Sequence, residues 1–427
     1  MKPDTLIQPE SVRRCVSFLE WLFRDYGPLD FSVRFWDGHV HGPAPGRTAA
    51  FSLVLNHPGA LRKMFRPPGD KSLGEAFIFR DFDIEGDLEA AFAISDYFIS
   101  RKWRLPEMVS FSMSLLSLPK GENNSSTETA KLSGHPHSPE RDQQAIRYHY
   151  DVSNDFFKTF LDSRLVYSSG YFTGPDEDLD TAQAGKLDYI CRKLRLRPGD
   201  RLLDIGCGWG GLLLHAFRNY GARCTGITLS RNQAEFANQK IASEGASNTC
   251  EVHLRDYREE QGESAYDKIV SVGMVEHVGE ATLREYFTHA WKLLKPGGVF
   301  LNHGITQGNR YLENRDSFID NYVFPDSDLL PLNKTLAYAE QAGFEIRDVE
   351  SLREHYMLTL RNWVRRLEEN REEALKAAGE VKYRTWKLFM SGSAYGFRTG
   401  KVNVYQALLF KPQGGPSGLP LTRADWY

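Results

Sequence analysis

The chain has 427 residues, a formal net charge of −3 and 41% hydrophobic residues. That length exceeds what one core usually serves, so two domains are expected, each with enough apolar sequence to bury a core. A charge so close to zero excludes a strong global pull toward nucleic acid or anionic membrane, and any such attraction must be local.

Before the elements, two absences matter. Cys15, Cys191, Cys207, Cys224 and Cys250 form no C-x-x-C pair and sit mostly in apolar strand or helix contexts. This predicts buried thiols in a reducing compartment, with neither a disulfide framework nor a zinc site. Met1-Lys2-Pro3-Asp4 leads into no apolar signal region, and no run of 18 apolar residues follows. A cytoplasmic, non-spanning chain is therefore expected.

The chain opens with an amphipathic helix over 10–27. Strand-like segments Phe31–Phe35 and Ala50–Leu55 follow, separated by a Gly/Pro-rich turn. Helical pattern at 61–65, the run Ser72–Phe77, the segment Phe82–Leu88 and a helix to about Ser100 complete a small α+β domain over 1–118. His39 and His41 lack a third convergent ligand, and no metal is expected. Arg101–Arg104 beside the apolar, helix-period Met108–Leu116 suits a bilayer surface or an ordinary solvated interdomain helix. Residues 119–146 are rich in Lys, Glu, Asn, Ser, Thr and Pro. They read as a flexible linker.

The second domain is expected over 147–427. A helix at 154–161, the turn-rich Tyr167–Phe172 and a helix at 181–194 precede strands at 201–205, 223–229, 251–255, 267–272 and 298–303, alternating with helices. That alternation predicts a doubly wound, mostly parallel sheet. Asn403–Phe410 is the strand expected to close it. Polar or glycine residues stand at or past five strand ends (Gly206–Gly210, Thr228, Asp256, Glu276, His303), where ligands of such sheets bind.

The organising stretch is Asp204-Ile205-Gly206-Cys207-Gly208-Trp209-Gly210-Gly211, a glycine turn between strand and helix. It differs from the dinucleotide code because the next strand, Cys224–Ser230, ends without a carboxylate. It is similar instead to S-adenosylmethionine-dependent methyltransferases, whose first strand carries an acid just before the turn.

Further segments make the resemblance specific. Tyr148–Phe157, Tyr167–Phe172, Gly226–Gln233, Asp256–Arg258, Val272–Gly279 and Phe318–Pro325 resemble, in order, the cyclopropane fatty acid synthases and the related mycolic acid cyclopropane synthases. Leu73–Ala76 and Asp83–Leu88 resemble that family's N-terminal lipid-binding module. The resemblance implies a seven-stranded methyltransferase sheet and two cofactors, S-adenosylmethionine and bicarbonate. The implied reaction puts a methyl carbon onto the cis double bond of an unsaturated phospholipid acyl chain, and loss of a proton then closes a cyclopropane. An alkene is a weak nucleophile and the resulting carbocation is quenched by water, so the site must be dry, aligned and furnished with a base.

By the same resemblance, Tyr167 and Ser168 lie over the cofactor's methionine end with Gly206, Gly208 and Gly210 beneath it, and Asp204 is a further cofactor-binding residue. Thr228, Leu229 and Gln233 take its ribose, and Asp256 and Tyr257 its adenine. Glu276, His303, the Ile305 backbone and Tyr356 surround the bicarbonate. Ser169 and Ser393 stand where the family commonly has cysteine; if the thiol shapes the pocket, serine alters how the cation resolves and opens a methylene- or methyl-branched product as the rival outcome. A non-catalytic lipid-binding protein is the rival of another class. The implied partner is the phospholipid surface at the inner face of the cell membrane. Arg361–Arg366 and Arg101–Arg104 are candidate headgroup contacts, and a homodimer stays open. No nucleic acid partner is expected, since the chain is not basic and no N-P-P-Y motif follows the fourth strand.

Overall fold

Buried apolar runs alternating with amphipathic stretches from Arg201 onward put seven strands into one sheet. The computed structural model describes residues 9–27, 29–101, 103–121, 132–135, 137–150, 152–308 and 317–426. The chain divides into two units, one of Met1–Thr129, Asn314–Tyr322 and Gly379–Tyr395, the other of Ala130–Glu313, Val323–Ala378 and Gly396–Tyr427. The sequence-based division at 118 and 147 is linear, whereas the first unit also takes in two short pieces from the C-terminal half.

The first unit starts with α1 (Glu10–Leu22). Strands β1 (Ser32–Arg34), β2 (Val40–His41) and β3 (Phe51–Leu55) follow. Next come α2 (Ala60–Met64), α3 (Asp70–Ile78), β4 (Phe82–Gly86), α4 (Leu88–Ser100) and α5 (Leu105–Ser117). Its sheet runs β2-β1-β3-β4. β3 buries alternate residues, as a half-covered strand must, and Phe31 stacks flat on Phe51 at 5.2 Å. Asp87 caps α4 by accepting from the Ala90 N–H at 3.1 Å.

The second unit opens with α6 (Pro139–Tyr150) and α7 (Asn154–Lys158). The expected linker is corrected in its last part, because 139–146 is helix. Ion pairs hold it, Arg141 to Asp326 and Asp142 to Arg258, and such long-range partners are invisible to composition. Residues 122–131 of that linker lie outside the described residues. Then follow α8 (Leu179–Leu194), β5 (Arg201–Ile205), α9 (Gly211–Tyr220), β6 (Arg223–Thr228), α10 (Arg231–Ser243) and β7 (Cys250–Leu254). After these come β8 (Tyr266–Val272), α11 (Val275–Val278), α12 (Glu280–Leu293) and β9 (Leu294–Gln307). The chain ends through α13 (Phe318–Tyr322, in the first unit), α14 (Leu332–Gln341), β10 (Glu345–Ser351), α15 (Arg353–Glu369), α16 (Arg371–Thr399) and β11 (Val402–Phe410). α16 breaks its helical geometry at Gly379, φ 78°, where the chain enters the first unit.

The sheet order is β10-β11-β9-β8-β5-β6-β7. Pairs from β7 to β9 are parallel; β11 is antiparallel to β9 and to β10. Two expectations change here. Asn403–Phe410 does not close the sheet, because β10 lies outside it. β9 also does not stop at His303: β11 pairs with it from Val299 to Gln307, well past the last β8 partner, Val272. The five cysteines are buried free thiols, and among the described residues no helix is long and apolar enough to cross a membrane.

Candidate active site

After β5 the chain turns through Gly206, Gly208 and Gly210 at φ 82°, 55° and 80°. A side chain at any of these left-handed positions would be strained. The amides of Gly206 and Cys207 both donate to the Ile227 carbonyl, at 2.9 and 3.0 Å, which pins the turn against β6. A cleft of about 970 Å³, counting the solvent at its mouth, opens over the turn. Tyr167, Ser168, Asp204, Gly206, Gly208, Thr228, Leu229, Gln233 and Tyr257 all line it. Two of the expected cofactor residues do not. Gly210 sits at the start of α9, and the Asp256 carboxylate is taken by the Arg258 guanidinium at 2.7 and 2.8 Å.

The cleft's polar groups are built from below. Ser230 caps α10, placing Gln233 so that its side-chain oxygen accepts from Thr228 Oγ1 at 2.8 Å. Lys186, buried in α8, donates to Ser168 Oγ at 2.7 Å, which leaves that hydroxyl's own hydrogen to donate elsewhere. Burial pulls Lys186 down to about 8, against the attraction of Asp162 and Asp204. Burial pushes Asp204 up to about 7, against the attraction of Lys186. Sequence reading missed Lys186, whose only signal was a lysine inside an apolar helix. It also missed His277, which lines the cleft and is drawn down to about 4 by burial.

The expected catalytic residues fall into three groups. Glu276 is buried on α11 and one oxygen accepts the Ile305 N–H at 2.5 Å. That amide is therefore engaged by Glu276. The other Glu276 oxygen, Oε2, is buried without a partner, and so is His303 Nε2. On the far side of the His303 ring, Nδ1 faces the Gln406 side-chain nitrogen at 3.2 Å, and Gln406 Oε1 accepts from Lys193 Nζ at 2.9 Å. An ammonium only donates, so it fixes the amide's orientation. The amide nitrogen then donates to Nδ1, and the ring hydrogen sits on Nε2. Burial, then Lys186 and Lys193, hold His303 well below the usual histidine range, hence neutral.

A second group joins Tyr356 and Ser169 through α15. Tyr356 packs on Phe397 at 4.7 Å and edge-on to Trp363 at 6.0 Å, while Trp363 stacks on Tyr167 at 5.1 Å. Ser169 is fully buried and its hydroxyl donates to the Gly170 carbonyl at 2.9 Å. The Gly170 amide donates to Thr359 Oγ1 at 2.9 Å, and the Phe172 amide to His355 Nδ1 at 2.9 Å. Ser393 is half-buried on α16 and belongs to the first unit. Among the described residues no group of three His, Cys, Asp or Glu side chains is arranged to hold a metal.

The glycine turn, the strand order and the cleft over the carboxyl ends define a class I S-adenosylmethionine-dependent methyltransferase fold. Residues 137–407 match the mycolic acid cyclopropane synthetase family, and the chain belongs to that family. It is 38% identical over 406 residues to the "Probable fatty acid methyltransferase" of Pseudomonas putida, covering 93% of this chain and 96% of that one. The cyclopropane synthase MmaA2 from Mycobacterium tuberculosis superposes with a TM-score of 0.60 at 34% identity, over 63% of this chain and 98% of its own. The mycolic acid cyclopropane synthase CmaA1, in complex with SAH and CTAB, gives 0.60 at 33%, with the same coverage.

Proposed function

We propose that the protein transfers a methyl carbon from S-adenosylmethionine to the cis double bond of an unsaturated phospholipid acyl chain and closes a cyclopropane. The observation that carries this reading is that Glu276 Oε2, just past β8, and His303 Nε2, at the last β8–β9 pair, are both among the twelve buried side-chain polar atoms left without a partner in the described residues. Buried polar atoms are almost always satisfied, so two left open invite a small polar guest. A neutral His303 offers an N–H there. Glu276, raised to about 7 by burial and only partly drawn back by the Ile305 amide, offers an O–H when protonated. That donor set fits a bicarbonate.

Bound at these positions, S-adenosylmethionine supplies an electrophilic methyl group and bicarbonate a base. The chain's own residues do the rest. The glycine turn underlies the methionine end, with Ser168 presented there by Lys186, and Thr228 and Gln233 take the ribose. Tyr167 lines the cleft with Trp363 stacked behind it and Tyr356 beyond, an aromatic layer that excludes water on that side. The Gln406 contact keeps a proton on His303 Nε2. Ser169 brings no loose polarity, because Gly170 satisfies its hydroxyl. The methylene- or methyl-branched product remains the second reading, favoured by the name of the P. putida relative.

The substrate class implies work at a membrane surface, and α5 is the element suited to it. Its outward half carries Leu105, Met108, Val109, Met113 and Leu116, each at least half exposed, with Pro106, Ser112 and Ser117 between them and no charge. A solvent-facing helix is ordinarily polar on that side. Arg14 and Arg62 donate to carbonyls at the helix's C-terminal end, and Arg104 precedes its first turn. The other basic clusters fit this role less well. Arg101 is engaged by Asp25 and Glu107, and Arg366 by Asp178 and Asp180.

The test incubates purified protein with S-adenosylmethionine, bicarbonate and vesicles of cis-monounsaturated phospholipid, then takes mass and proton NMR spectra of the released fatty acids. A gain of one CH₂ with high-field cyclopropyl protons is expected. The same gain with a vinylidene signal selects the second reading, whose saturated methyl branch would carry two further hydrogens and form only with a separate reductase and its reductant.

A further inference from the structure

The first unit contains a second cavity, none of whose lining residues lines the cleft over the glycine turn. It measures about 1130 Å³ counting its mouth, and ten phenylalanines stand in its lining. Asp70 is the one ionisable residue there, and its carboxylate is already engaged by the Phe318 N–H at 3.0 Å. Protein cores are close-packed and leave few voids larger than a water molecule. Apolar voids stay dry and take apolar guests.

Loose packing does not account for the space. At Gly74 of α3 a Cβ would lie 2.1 Å from the Phe318 ring, and at Gly392 of α16 it would lie 2.8 Å from Phe92. Both glycines line the cavity. The helices approach their neighbours as closely as a bare backbone permits, while the space beside them stays open. The rim is tight and the centre is hollow, as in a built site.

The walls also specify the guest. With so few polar groups they cannot orient a nucleotide, a sugar or a headgroup, but they suit a flexible hydrocarbon chain. One wall, Phe65, meets Phe111 of α5 edge-on at 6.1 Å. The charge-free outer face of α5 is thus one aromatic layer from the cavity. We propose that this cavity is an acyl-chain site, holding a hydrocarbon chain of a membrane lipid within the first unit. The choice of a lipid chain over other hydrocarbons rests on the lipid-modifying reading above; the cavity itself does not.

The test uses the full-length protein and phosphatidylglycerol vesicles doped with a phospholipid that carries a diazirine in one acyl chain. After photolysis, labelled peptides are mapped by mass spectrometry. Adducts on cavity-lining residues of α3 and α4, such as Leu73 and Phe92, are expected. They should be lost in Ala91→Trp, which fills the cavity from α4, and reduced in the milder Ala91→Leu, with circular dichroism and S-adenosylhomocysteine binding retained in each. Competition by unlabelled dioleoyl phospholipid but not by oleate identifies an esterified chain; competition by oleate alone identifies a free fatty acid. Adducts confined to α5 or to the second unit, or unchanged in both variants, overturn the proposal. Methyl transfer is followed on the same samples. Turnover without cavity adducts rejects the cavity site and leaves the function standing, whereas adducts without turnover support the site and count against the reaction.

Discussion

The side-chain amide of Gln406 donates to Nδ1 of His303 at 3.2 Å across the antiparallel pair of β11 and β9. Lys193, which donates to the Gln406 oxygen and pairs with Glu350, leaves the amide no second orientation. The two residues face each other in register, 103 positions apart in sequence. A residue on one side of the ring thereby decides whether the nitrogen on the other side holds the proton.

Gln406→Glu should therefore invert the ring. A carboxylate only accepts, so Nδ1 must carry hydrogen, and the added charge stabilises imidazolium. A loss of turnover of at least about tenfold is expected, the scale seen when the second hydrogen bond of a working imidazole is removed from a metal site. Nitrogen-15 NMR of His303 should report the changed tautomer while cofactor affinity stays near wild type. An unchanged tautomer would remove Gln406 from the mechanism.

Glu276 carries a different prediction, for stability. Its folded pKa is raised to about 7 from 4.5, with burial as the cause. The folded chain thus binds a proton between those values that the unfolded chain has released. The associated stability is fully present below about pH 4.5 and is lost as pH rises through about 7, on the order of 3 kcal/mol in all. Glu276→Gln keeps an acceptor for the Ile305 amide and cannot ionise. Urea unfolding should find the variant close to wild type at pH 5 and more stable at pH 8, with turnover abolished at both. A variant no more stable at pH 8 would mean that Glu276 is not desolvated.

Much of the site could be read from the sequence because it is local. The glycine turn, the Ser230 cap and the polar residues after each strand are short-range features, and nine of the eleven expected cofactor residues line the cleft. What escaped depends on distant pairing. Nothing near Ile305 in sequence says that its amide is held by Glu276. The length of β9 is set by β11, and the helix at 139–150 by partners at 258 and 326. Lys186 was hidden because a buried lysine looks like an ordinary helix residue until Ser168 is found beside it.

For α5, membrane association is expected to be separable from folding. Met108 and Met113 are 52% and 66% exposed, so Met108→Glu and Met113→Glu should leave thermal stability nearly unchanged. If both side chains enter the bilayer, losing their burial should weaken binding to anionic vesicles by about tenfold each, since a buried methionine side chain contributes roughly 1.5–3 kcal/mol. Vesicle sedimentation measures this directly. Equal binding by the double variant would exclude this helix as the contact.

Ser169 tests whether one atom chooses the product. Its hydroxyl is fully buried and donates to its neighbour's carbonyl at 2.9 Å. It therefore neither draws water into the site nor offers a hydrogen to a carbocation. A thiol is a weaker donor but also fits a buried, largely apolar setting. Ser169→Cys should thus give the same product as wild type by proton NMR, with a rate changed only a few-fold, which corresponds to less than about 1.4 kcal/mol in the barrier. If wild type makes a branched chain and the variant makes a cyclopropane, the serine directs the fate of the cation, and the hydroxyl must leave Gly170 during turnover to do so.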